Sequence, residues 1–372
     1  MIGKLIKTFD ENYNFENVIV PLSLDFTEVC FVYHHEIKPA KFNSCSKILH
    51  KYKDIKVSYH RVDENSIEEL MSEGAFIDIT AAKYLSIVLF ENAFKYHLPI
   101  IYYDDQECCI KSYRRHETVC SAIKKLSIED LVILGGGTIK KQLHKEINDP
   151  KTNDIIIEAV DKSLKKYSSF ISFIQKVNNY CGDQKGNRVH LNKETINRIA
   201  NDEQYSLHSE LLRIDNDELI FANSDIRRCF EVSGIFLESY VYHKLKDSSL
   251  FDDVQMSLSI DFSSVESNYP SICEIDVVAV KDNKLLFISC KSNKVDTPAL
   301  NEIVVHNLVF GTYDSRPVIC TINDLNEVAP SVYLKAEELN VAIIDYSTFR
   351  KNDIAKAFLD ILEDKYQYEK IN

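Results

Sequence analysis

Strand-like and helix-like segments alternate along the first third of this chain, and this alternation restricts the possible fold more than any other feature. A helical pattern, AAKYLSIVLFENAFKYH, lies among short runs rich in β-branched and aromatic residues between Val18 and Tyr113. Such alternation is typical of a parallel or mostly parallel sheet covered by helices. We therefore predict an α/β domain whose strands are NVIVPLSL, EVCFVYHH, IKVSYHRV, AFIDIT, LPIIYYDD and ECCIKSY.

Two loops of this predicted domain lie where such sheets bind ligands, beyond the carboxyl ends of strands and before helix N-termini. They are residues 21–25 and 80–83. Thr80 is typical of a helix N-cap, which would leave the backbone amides that follow it available to a phosphate or a ribose. A capped helix without any ligand explains the same pattern, so both interpretations stay open.

Three consecutive glycines, at 135–137, follow the helical pattern LSIEDLVIL. They lack the spacing and the Lys-Ser/Thr ending of a phosphate-binding loop, and therefore indicate a helix end and a domain boundary. We predict a first domain over residues 1–146 and a third segment over residues 224–372. Between them, residues 147–223 form a mainly helical linker that ends in a hairpin turning at Asn216 and Asp217.

Composition limits the class of partner and the compartment. The 372 residues carry a formal charge of -13, which argues against a protein that coats nucleic acid through Lys and Arg but leaves room for a nuclease with a local basic groove. The sequence has neither a signal-peptide core nor the roughly twenty apolar residues of a membrane span. The 10 cysteines are scattered without a C-x-x-C pair, which favours reduced thiols. We expect a cytoplasmic protein without a membrane segment.

From Ser224 onward the pattern changes to helix, three strands, helix and strand. The segments are DIRRCFEVSGIFLESYVYHKLK, DVQMSLSID, ICEIDVVAV, KLLFISCK, TPALNEIVVHNLVF and PVICTI. This order, with a meander in its middle, is the layout of the restriction-endonuclease-like core. Fold order alone establishes no chemistry.

The two central strands of that segment carry a cluster of charged residues. The two-residue period of a strand puts Glu274 and Asp276 on one face of the first strand, and Ser289 and Lys291 on one face of the second. A tight turn between the strands would bring Asp276 beside Ser289 and Lys291. Two acids and an ammonium are costly to bury without a cation and hydrogen-bond partners, so the cluster indicates function. A solvated hairpin edge is the alternative.

This set of residues suits metal-dependent phosphodiester hydrolysis. Carboxylates hold Mg²⁺ or Mn²⁺, and the ion polarises the phosphate and lowers the pKa of an attacking water. A lysine can orient that water and offset charge that develops on phosphate oxygens. We predict Asp276 as the bridging metal ligand, Lys291 as the catalytic ammonium and the carbonyl of Cys290 as a further ligand.

The hairpin resembles the D…(D/E)-x-K signature of PD-(D/E)XK nucleases, and the whole chain is similar to the CARF-domain nucleases of type III CRISPR systems. The amino-terminal half contributes FIDITAAKYLSIVLFENAF, LPIIYYDD and LSIEDLVILGG, and the carboxyl-terminal half contributes SGIFLESYVYHKL and EIDVVAVKDNKLLFISCK. The resemblance implies a Rossmann-like CARF domain, a helical linker and a restriction-endonuclease-like α/β domain. It also implies a homodimeric nuclease of antiviral defence that cleaves DNA, RNA or both and is activated by cyclic oligoadenylate.

For the amino-terminal domain, the resemblance implies that cyclic tetra-adenylate lies across the two-fold axis of the dimer. The predicted contacts are Ser23, Asp25, Thr80, Ala81 and Lys83. Backbone amides at helix N-termini suit the phosphates, and Asp25 suits a ribose hydroxyl or an adenine amine. Members of the family often have a Thr-Gly-Gly-Thr-Lys turn where this chain has TAAK, so the identity of the cyclic nucleotide stays open.

The carboxyl-terminal domain departs from the signature at Ser289, where the family has an acid. A serine cannot act as a charged metal ligand, so another acid takes over or the site has decayed. Glu238, which has apolar neighbours at helical spacing, and Glu302 rank above Glu274 as substitutes. A decayed site would leave a non-catalytic cyclic-nucleotide sensor or sink.

Glu302 lies in the first turns of the helix that follows Lys291, for which Thr297 is the predicted N-cap and Pro298 the first helical residue. Stabilisation of the helix dipole is an equally good explanation of this acid. His306, one turn after Glu302, could contact substrate, although a single histidine on a helix is more often structural.

Overall fold

The computed structural model describes residues 2–10, 14–63, 66–80, 84–140, 147, 149–261, 272–292, 295–310, 315–322, 329–345, 348–349 and 353–364. None of the helices in these ranges has the length and apolarity needed to cross a bilayer. The chain divides into two compact units. The first is Met1–Ile139 with Ile260–Ile272 and Phe310–Tyr313; the second is Lys140–Ser259 with Cys273–Val309 and Asp314–Asn372.

The first unit is a layered α/β structure. Its strands are β1 (Ile2–Thr8), β2 (Phe26–Tyr33), β3 (Lys56–Arg61), β4 (Phe76–Asp78), β5 (Ile100–Asp104), β6 (Cys109–Ser112), β7 (Thr118–Cys120) and β8 (Thr138–Ile139). Its helices are α1 (Asn14–Ser23), α2 (Pro39–Tyr52), α3 (Tyr84–Lys95) and α4 (Ile128–Leu134). The described residues form a sheet in the order β3-β2-β1-β4-β5-β6-β7, in which β1 to β5 are parallel and β6 and β7 antiparallel. The predicted mostly parallel sheet is confirmed.

The strand predicted over NVIVPLSL is wrong, because these residues belong to α1 or follow it. Val18, Ile19 and Val20 are fully buried, and a short buried run of β-branched residues fits either a strand or a helix by its pattern alone. The strand that begins the sheet is instead β1, which the sequence analysis did not identify. Residues 21–25 therefore lie before β2, at the amino edge of the sheet rather than at its carboxyl edge.

The second unit combines helices with two sheets. Its helices are α5 (Pro150–Ser163), α6 (Tyr167–Cys181), α7 (Lys193–Ala200), α8 (Glu203–Leu207), α9 (Ser224–Glu231), α10 (Gly234–Asp247), α11 (Thr297–Phe310), α12 (Pro330–Glu338) and α13 (Ile354–Leu362). Its strands are β9 (Arg188–His190), β10 (Leu212–Asp215), β11 (Glu218–Phe221), β12 (Asp253–Asp261), β13 (Ile272–Lys281), β14 (Lys284–Lys291), β15 (Arg316–Thr321) and β16 (Ala342–Ile344). The small sheet has the order β10-β11-β9, and the main sheet has the order β16-β15-β14-β13-β12.

The predicted order of helix, three strands, helix and strand is confirmed as α10-β12-β13-β14-α11-β15, but the first helix, predicted as one element over DIRRCFEVSGIFLESYVYHKLK, is divided into α9 and α10. The predicted hairpin at Asn216 is also confirmed, by the antiparallel pairing of β10 and β11. Residues 147–223 share one hydrophobic core with the main sheet. Phe170 on α6, for example, makes an edge-to-face contact with Phe236 on α10 at 5.2 Å between ring centroids. The division of this unit at residue 223 stays a prediction.

The hairpin of β13 and β14 is the element that positions the charged cluster. Asp282 and Asn283 form its turn with φ angles of 49° and 65°, a left-handed conformation that Asp and Asn tolerate. The turn fixes an antiparallel register in which Val277 lies opposite Ile288. The stretches 277–280 and 285–288 are buried on both faces, as in the centre of a covered sheet. Charged side chains therefore come together at the open end of the hairpin.

Candidate functional site

Asp276 is held in place by the strand that pairs with it. The backbone N–H of Cys290 donates a hydrogen bond of 2.7 Å to Oδ2 of Asp276, and the hydroxyl of Ser289 donates one of 3.3 Å to the same oxygen. Burial raises the pKa of Asp276, while these two donors and the charge of Lys291 oppose the shift. The predicted approach of Asp276, Ser289 and Lys291 is present, and Ser289 acts as an orienting donor.

Helix α11 brings a second acid to the same end of the hairpin. Oε2 of Glu302 lies 3.8 Å from Nζ of Lys291, with the lysine 30% and the glutamate 57% exposed. The predicted N-cap of this helix is wrong: Oδ1 of Asp296, not Thr297, accepts the backbone N–H of Ala299 at 3.0 Å. Asp296 is therefore the N-cap, since its side chain satisfies a free backbone N–H in the first turn. Thr297, one position later, is the first helical residue.

These residues line one small pocket. Its lining comprises Glu274, Ile275, Asp276, Ser289, Lys291, Glu302, Ile303 and His306. The free volume is about 20 Å³, which is room for one water or one metal ion rather than for a nucleotide. Of the predicted catalytic residues, Asp276, Ser289, Lys291 and Glu302 are thus brought together, whereas Glu238 does not line the pocket.

Glu238 lies on α10 within electrostatic reach of the pocket. Its burial and the negative charge of Asp276 raise the pKa of Glu238 to about 8, against the opposing effect of Lys291. Gly234, one turn earlier on α10, makes room for this carboxyl: a Cβ at Gly234 would lie 3.0 Å from Oε1 of Glu238. The apolar neighbours in the sequence indicated an acid with little access to solvent, and Glu238 is half-buried. They gave no sign of the space that Gly234 provides.

His306 is a buried residue of the pocket. Its side chain is 8% exposed, and Nδ1 has no hydrogen-bond partner among the described residues. Burial lowers the pKa of His306, Glu302 opposes that shift and Lys291 adds to it. The imidazole is therefore neutral near pH 7, with one ring nitrogen able to accept.

The pocket fits an open divalent site rather than a closed one. When ionised, its three carboxylates and one ammonium leave a net charge of -2, which one divalent cation balances. Within the described residues, no three His, Cys, Asp or Glu side chains form a ready set of metal ligands. Catalytic Mg²⁺ and similar ions commonly use one or two carboxylates, waters and substrate phosphates, so the available donors suit such an ion.

Cys290 contributes its backbone to the site while its side chain is buried. The thiol lies beside Cys320 of β15, in register across the parallel pair, and its burial keeps the pKa of Cys290 well above the usual range. The metal-ligand role of its carbonyl stays a prediction. All 10 cysteines are free in the structure.

In the first unit, β1 and β4 are adjacent although β2 and β3 extend the sheet on the other side of β1. Ligands of open α/β sheets bind where the strand order reverses in this way. Lys7 and Asp78 occupy paired positions there and form an ion pair of 2.7 Å with both side chains buried. Neither residue was predicted as a site residue, because the pairing of β1 with β4 that brings them together depends on a strand that the sequence pattern did not predict. Removing both charges from water is costly, so this buried ion pair indicates a functional role rather than a stabilising one.

Thr80 lies beside that ion pair. Its backbone N–H donates to Oδ1 of Asp78 at 2.9 Å, and its hydroxyl donates to the same oxygen. Oγ1 of Thr80 accepts the N–H of Tyr103 at 3.0 Å, so protein partners hold this side chain. The predicted contacts Ala81 and Lys83 lie outside the described residues.

The other two predicted contacts lie at the opposite edge of the sheet. Oγ of Ser23 accepts the backbone N–H of Lys124 at 3.0 Å, and the exposed Asp25 lies 3.4 Å from Nζ of Lys53. Phe26, directly after them, pairs with Ile2 at the amino ends of β2 and β1. Ser23 and Asp25 were predicted as ligand contacts because they were expected to follow a strand. Their position before β2 removes the basis of that prediction.

Comparisons with known proteins bear on both units. Residues 225–347 match the family model of the Card1-like endonuclease domain. A comparison with curated protein sequences gave no match.

Several solved structures share the fold. Protein VC1899 from Vibrio cholerae superposes with a TM-score of 0.81 at 15% identity, over 99% of this chain and 100% of that one. Can2 from Sulfobacillus thermosulfidooxidans, solved with cyclic tetra-adenylate, gives 0.71 at 14% identity, over 98% and 100%. A type III CRISPR defence DNA nuclease activated by cyclic oligoadenylate gives 0.50 at 11% identity, over 86% of this chain and 45% of that one.

These matches confirm the α/β fold class and the predicted resemblance to the CARF-domain nucleases of type III CRISPR systems. Shared fold extends along nearly the whole chain, and the matched family segment contains the Asp276 pocket. Residues 225–347 of this chain thus resemble the Card1-like endonuclease domain, in a polypeptide that has the fold of protein VC1899 and of Can2.

Proposed function

We propose that this chain is a metal-dependent endonuclease that cleaves DNA, RNA or both and is activated by a cyclic oligoadenylate in type III CRISPR antiviral defence. One observation carries the proposal: Asp276, fixed by the Cys290 amide, shares a pocket with Lys291 and Glu302 inside a segment that matches an endonuclease family. Such a pocket supplies the carboxylates and the ammonium that phosphodiester hydrolysis requires.

Each residue of the pocket has a proposed role. Asp276 and Glu302 hold Mn²⁺ or Mg²⁺, with the carbonyl of Cys290 as a further oxygen. When bound, the ion polarises the scissile phosphate and lowers the pKa of the attacking water. Lys291 orients that water and offsets charge on the phosphate, and Ser289 keeps Asp276 in orientation. Glu238, with its raised pKa, is the alternative second acid.

For activation, we propose that the cyclic nucleotide binds at the carboxyl ends of β1 and β4, where Thr80, Ala81 and Lys83 follow β4. Two observations support this location: the buried Lys7–Asp78 pair at the reversal of strand order, and the bound cyclic tetra-adenylate in the structure of Can2. We also propose a homodimer, because α3 exposes the apolar side chains Ile87 and Phe94 on one side.

The function is tested by incubating labelled single-stranded RNA, single-stranded DNA and supercoiled plasmid with the protein. Each substrate is combined with Mn²⁺, with Mg²⁺ or with a chelator, and with or without cyclic tetra-adenylate. Cleavage is expected only when a divalent ion and the cyclic nucleotide are both present. Cleavage that persists in the chelator contradicts the metal dependence, and cleavage that ignores the nucleotide contradicts the activation.

A non-catalytic sensor or sink for the cyclic nucleotide is the second candidate. Two observations favour it: Ser289 stands where the signature has an acid, and the described residues contain no ready set of metal ligands. This candidate predicts binding of cyclic tetra-adenylate in calorimetry together with no cleavage of any substrate. Tight Mn²⁺ binding that depends on Asp276 would exclude it.

A further inference from the structure

A buried histidine of the second unit has a serine and a glutamate beside it, as in the triad of a serine hydrolase. This residue, His208, is fully buried and follows α8 directly. Its Nε2 lies 2.9 Å from Oγ of Ser163 at the end of α5, and its Nδ1 lies 3.6 Å from Oε1 of Glu210. A nucleophilic serine activated by a histidine would have the same neighbours.

The hydroxyl hydrogen of Ser163 rules out that interpretation. Oγ of Ser163 donates it to the backbone carbonyl of Ala159 at 2.7 Å. Since a hydroxyl has a single hydrogen, Nε2 of His208 is the donor of the 2.9 Å bond and Ser163 is its acceptor. The serine is itself buried, so it is a structural residue rather than a nucleophile.

The same bond determines which ring nitrogen carries the proton. With the hydrogen on Nε2, a neutral imidazole has a lone pair at Nδ1, and Nδ1 has no hydrogen-bond partner among the described residues. The carboxylate of Glu210 faces Nδ1 and, when ionised, can only accept. A proton added to Nδ1 would attract Glu210, but the imidazole of His208 would then carry a charge in a fully buried position.

The groups around His208 decide between these two effects. On α6, Phe170 packs against the ring with 4.6 Å between the ring centroids and so excludes water from that side. On α5, Lys162 holds Glu210 at 3.1 Å and Glu158 at 2.8 Å, and so competes for the carboxylate that would balance an imidazolium. Burial lowers the pKa of His208, whereas Glu210 opposes the shift and Lys162 adds to it. The buried ring is therefore neutral near pH 7.

We propose that His208 is a pH-sensitive switch: the neutral imidazole fastens residues 203–211 to α5, and protonation from solvent releases them. The ring takes up a proton more easily once it has moved into water, so a lower pH favours the open state. The released segment comprises α8 and the turn before β10. The inference goes beyond the proposed nuclease function and does not depend on it.

Hydrogen exchange of the full-length protein, followed by mass spectrometry, measures the opening of each segment. At about pH 6, half a unit below the ordinary pKa of histidine, an open state that binds one proton gains about fourfold in population. After correction for the intrinsic pH dependence of exchange, protection of residues 203–211 should therefore fall about fourfold between about pH 7.5 and about pH 6. Unchanged protection of these residues would overturn the proposal.

Two variants assign the effect to one residue. His208→Gln keeps an N–H that can donate to Ser163 but has no titratable ring, so protection of residues 203–211 should no longer depend on pH in this range. His190→Gln, at an exposed histidine on β9, is the matched control and should keep the change seen in wild type. A pH dependence that persists in folded His208→Gln would contradict the proposal.

Nuclear magnetic resonance provides a measurement that needs no substitution of His208. The protein is labelled with ¹⁵N at its 11 histidines, and the ring whose signals shift in Ser163→Ala is assigned to His208. In wild type at about pH 7.5 we expect this ring to be neutral with its proton on Nε2. A proton on Nδ1, either in the other neutral tautomer or in an imidazolium, would overturn the proposal.

Discussion

Oδ2 of Asp276 accepts the backbone N–H of Cys290 at 2.7 Å, across the end of the hairpin formed by β13 and β14. A backbone donor cannot rotate away, so the carboxylate keeps its orientation even before any ion arrives. Such preorganisation lowers the cost of assembling a catalytic site. The register that creates this contact also brings Lys291 to the same pocket.

Replacing the Asp276 carboxylate should strongly reduce catalysis without unfolding the protein. Asp276→Asn keeps an oxygen that accepts the Cys290 amide but loses the charge that binds the ion. We expect cleavage to fall by about 10² to 10³, as when one charge-stabilising group is removed from other active sites. Glu194→Gln, at an exposed acid on α7, is the control and should keep full activity. Equal losses in the two variants would count against the assignment.

Ser289 should have a small effect, because it orients Asp276 rather than binding the ion. Ser289→Ala removes one hydrogen bond, of 3.3 Å, while the Cys290 donor remains. A single hydrogen bond contributes about 0.5–1.5 kcal/mol, so we expect activity to fall by no more than about tenfold. A loss as large as that of Asp276→Asn, measured in the same cleavage assay, would indicate a direct catalytic role instead.

Glu302 and Glu274 both line the pocket, and they can be distinguished by substitution. Glu302 lies 3.8 Å from Lys291, and we propose it as the second metal ligand. Glu302→Gln should therefore raise the dissociation constant for Mn²⁺ about tenfold or more, while Glu274→Gln should change it by less than about threefold. Isothermal calorimetry measures both constants. The reverse ranking would assign the second carboxylate to Glu274.

Glu238 should make stability fall as the pH rises. Its folded-state pKa of about 8 lies above the ordinary 4.5, so the folded state binds the proton more tightly than the unfolded state does. That contribution is fully present below about pH 4.5 and is lost as the pH rises towards 8. Urea unfolding of metal-free protein at several pH values should therefore give a steeper decline for wild type than for Glu238→Gln.

Asp276 also contributes to the pH dependence of stability in that experiment. Its own raised pKa likewise makes stability fall as the pH rises, and this effect persists in the Glu238→Gln variant. The variant should consequently show a shallower decline rather than none. Identical slopes for the two proteins would mean that Glu238 does not carry the raised pKa.

The Lys7–Asp78 pair in the first unit should be intolerant of single substitutions. Lys7→Met removes the ion-pair partner of the buried Asp78 carboxylate and leaves it, among the described residues, only the hydrogen bonds from Thr80. Breaking a buried ion pair in this way costs about 3–5 kcal/mol in other proteins. The double variant Lys7→Met with Asp78→Leu should regain much of this loss, because an apolar pair needs no compensation. Urea unfolding of the three proteins measures the difference. A double variant less stable than Lys7→Met would contradict this account of the pair.

Local sequence predicted the hairpin half of the pocket, since a period of two and a turn at Asp282 and Asn283 suffice to bring Asp276 to Ser289. The approach of Glu302 to Lys291 depends on how α11 packs, which no local pattern encodes. Lys7 could not be recognised, because its strand, β1, was not identified and the buried β-branched run of α1 has the pattern of a strand. Tertiary packing therefore determines both the approach of Glu302 to Lys291 and the helical conformation of the buried run in α1.

The most direct test of the central claim compares wild type with the double variant Asp276→Asn and Lys291→Ala in one cleavage assay. Both proteins receive Mn²⁺, cyclic tetra-adenylate and the same labelled RNA and DNA, after circular dichroism has established that both are folded. The account predicts that wild type cleaves at least one substrate and that the double variant cleaves none. Undiminished cleavage by the folded double variant would contradict it.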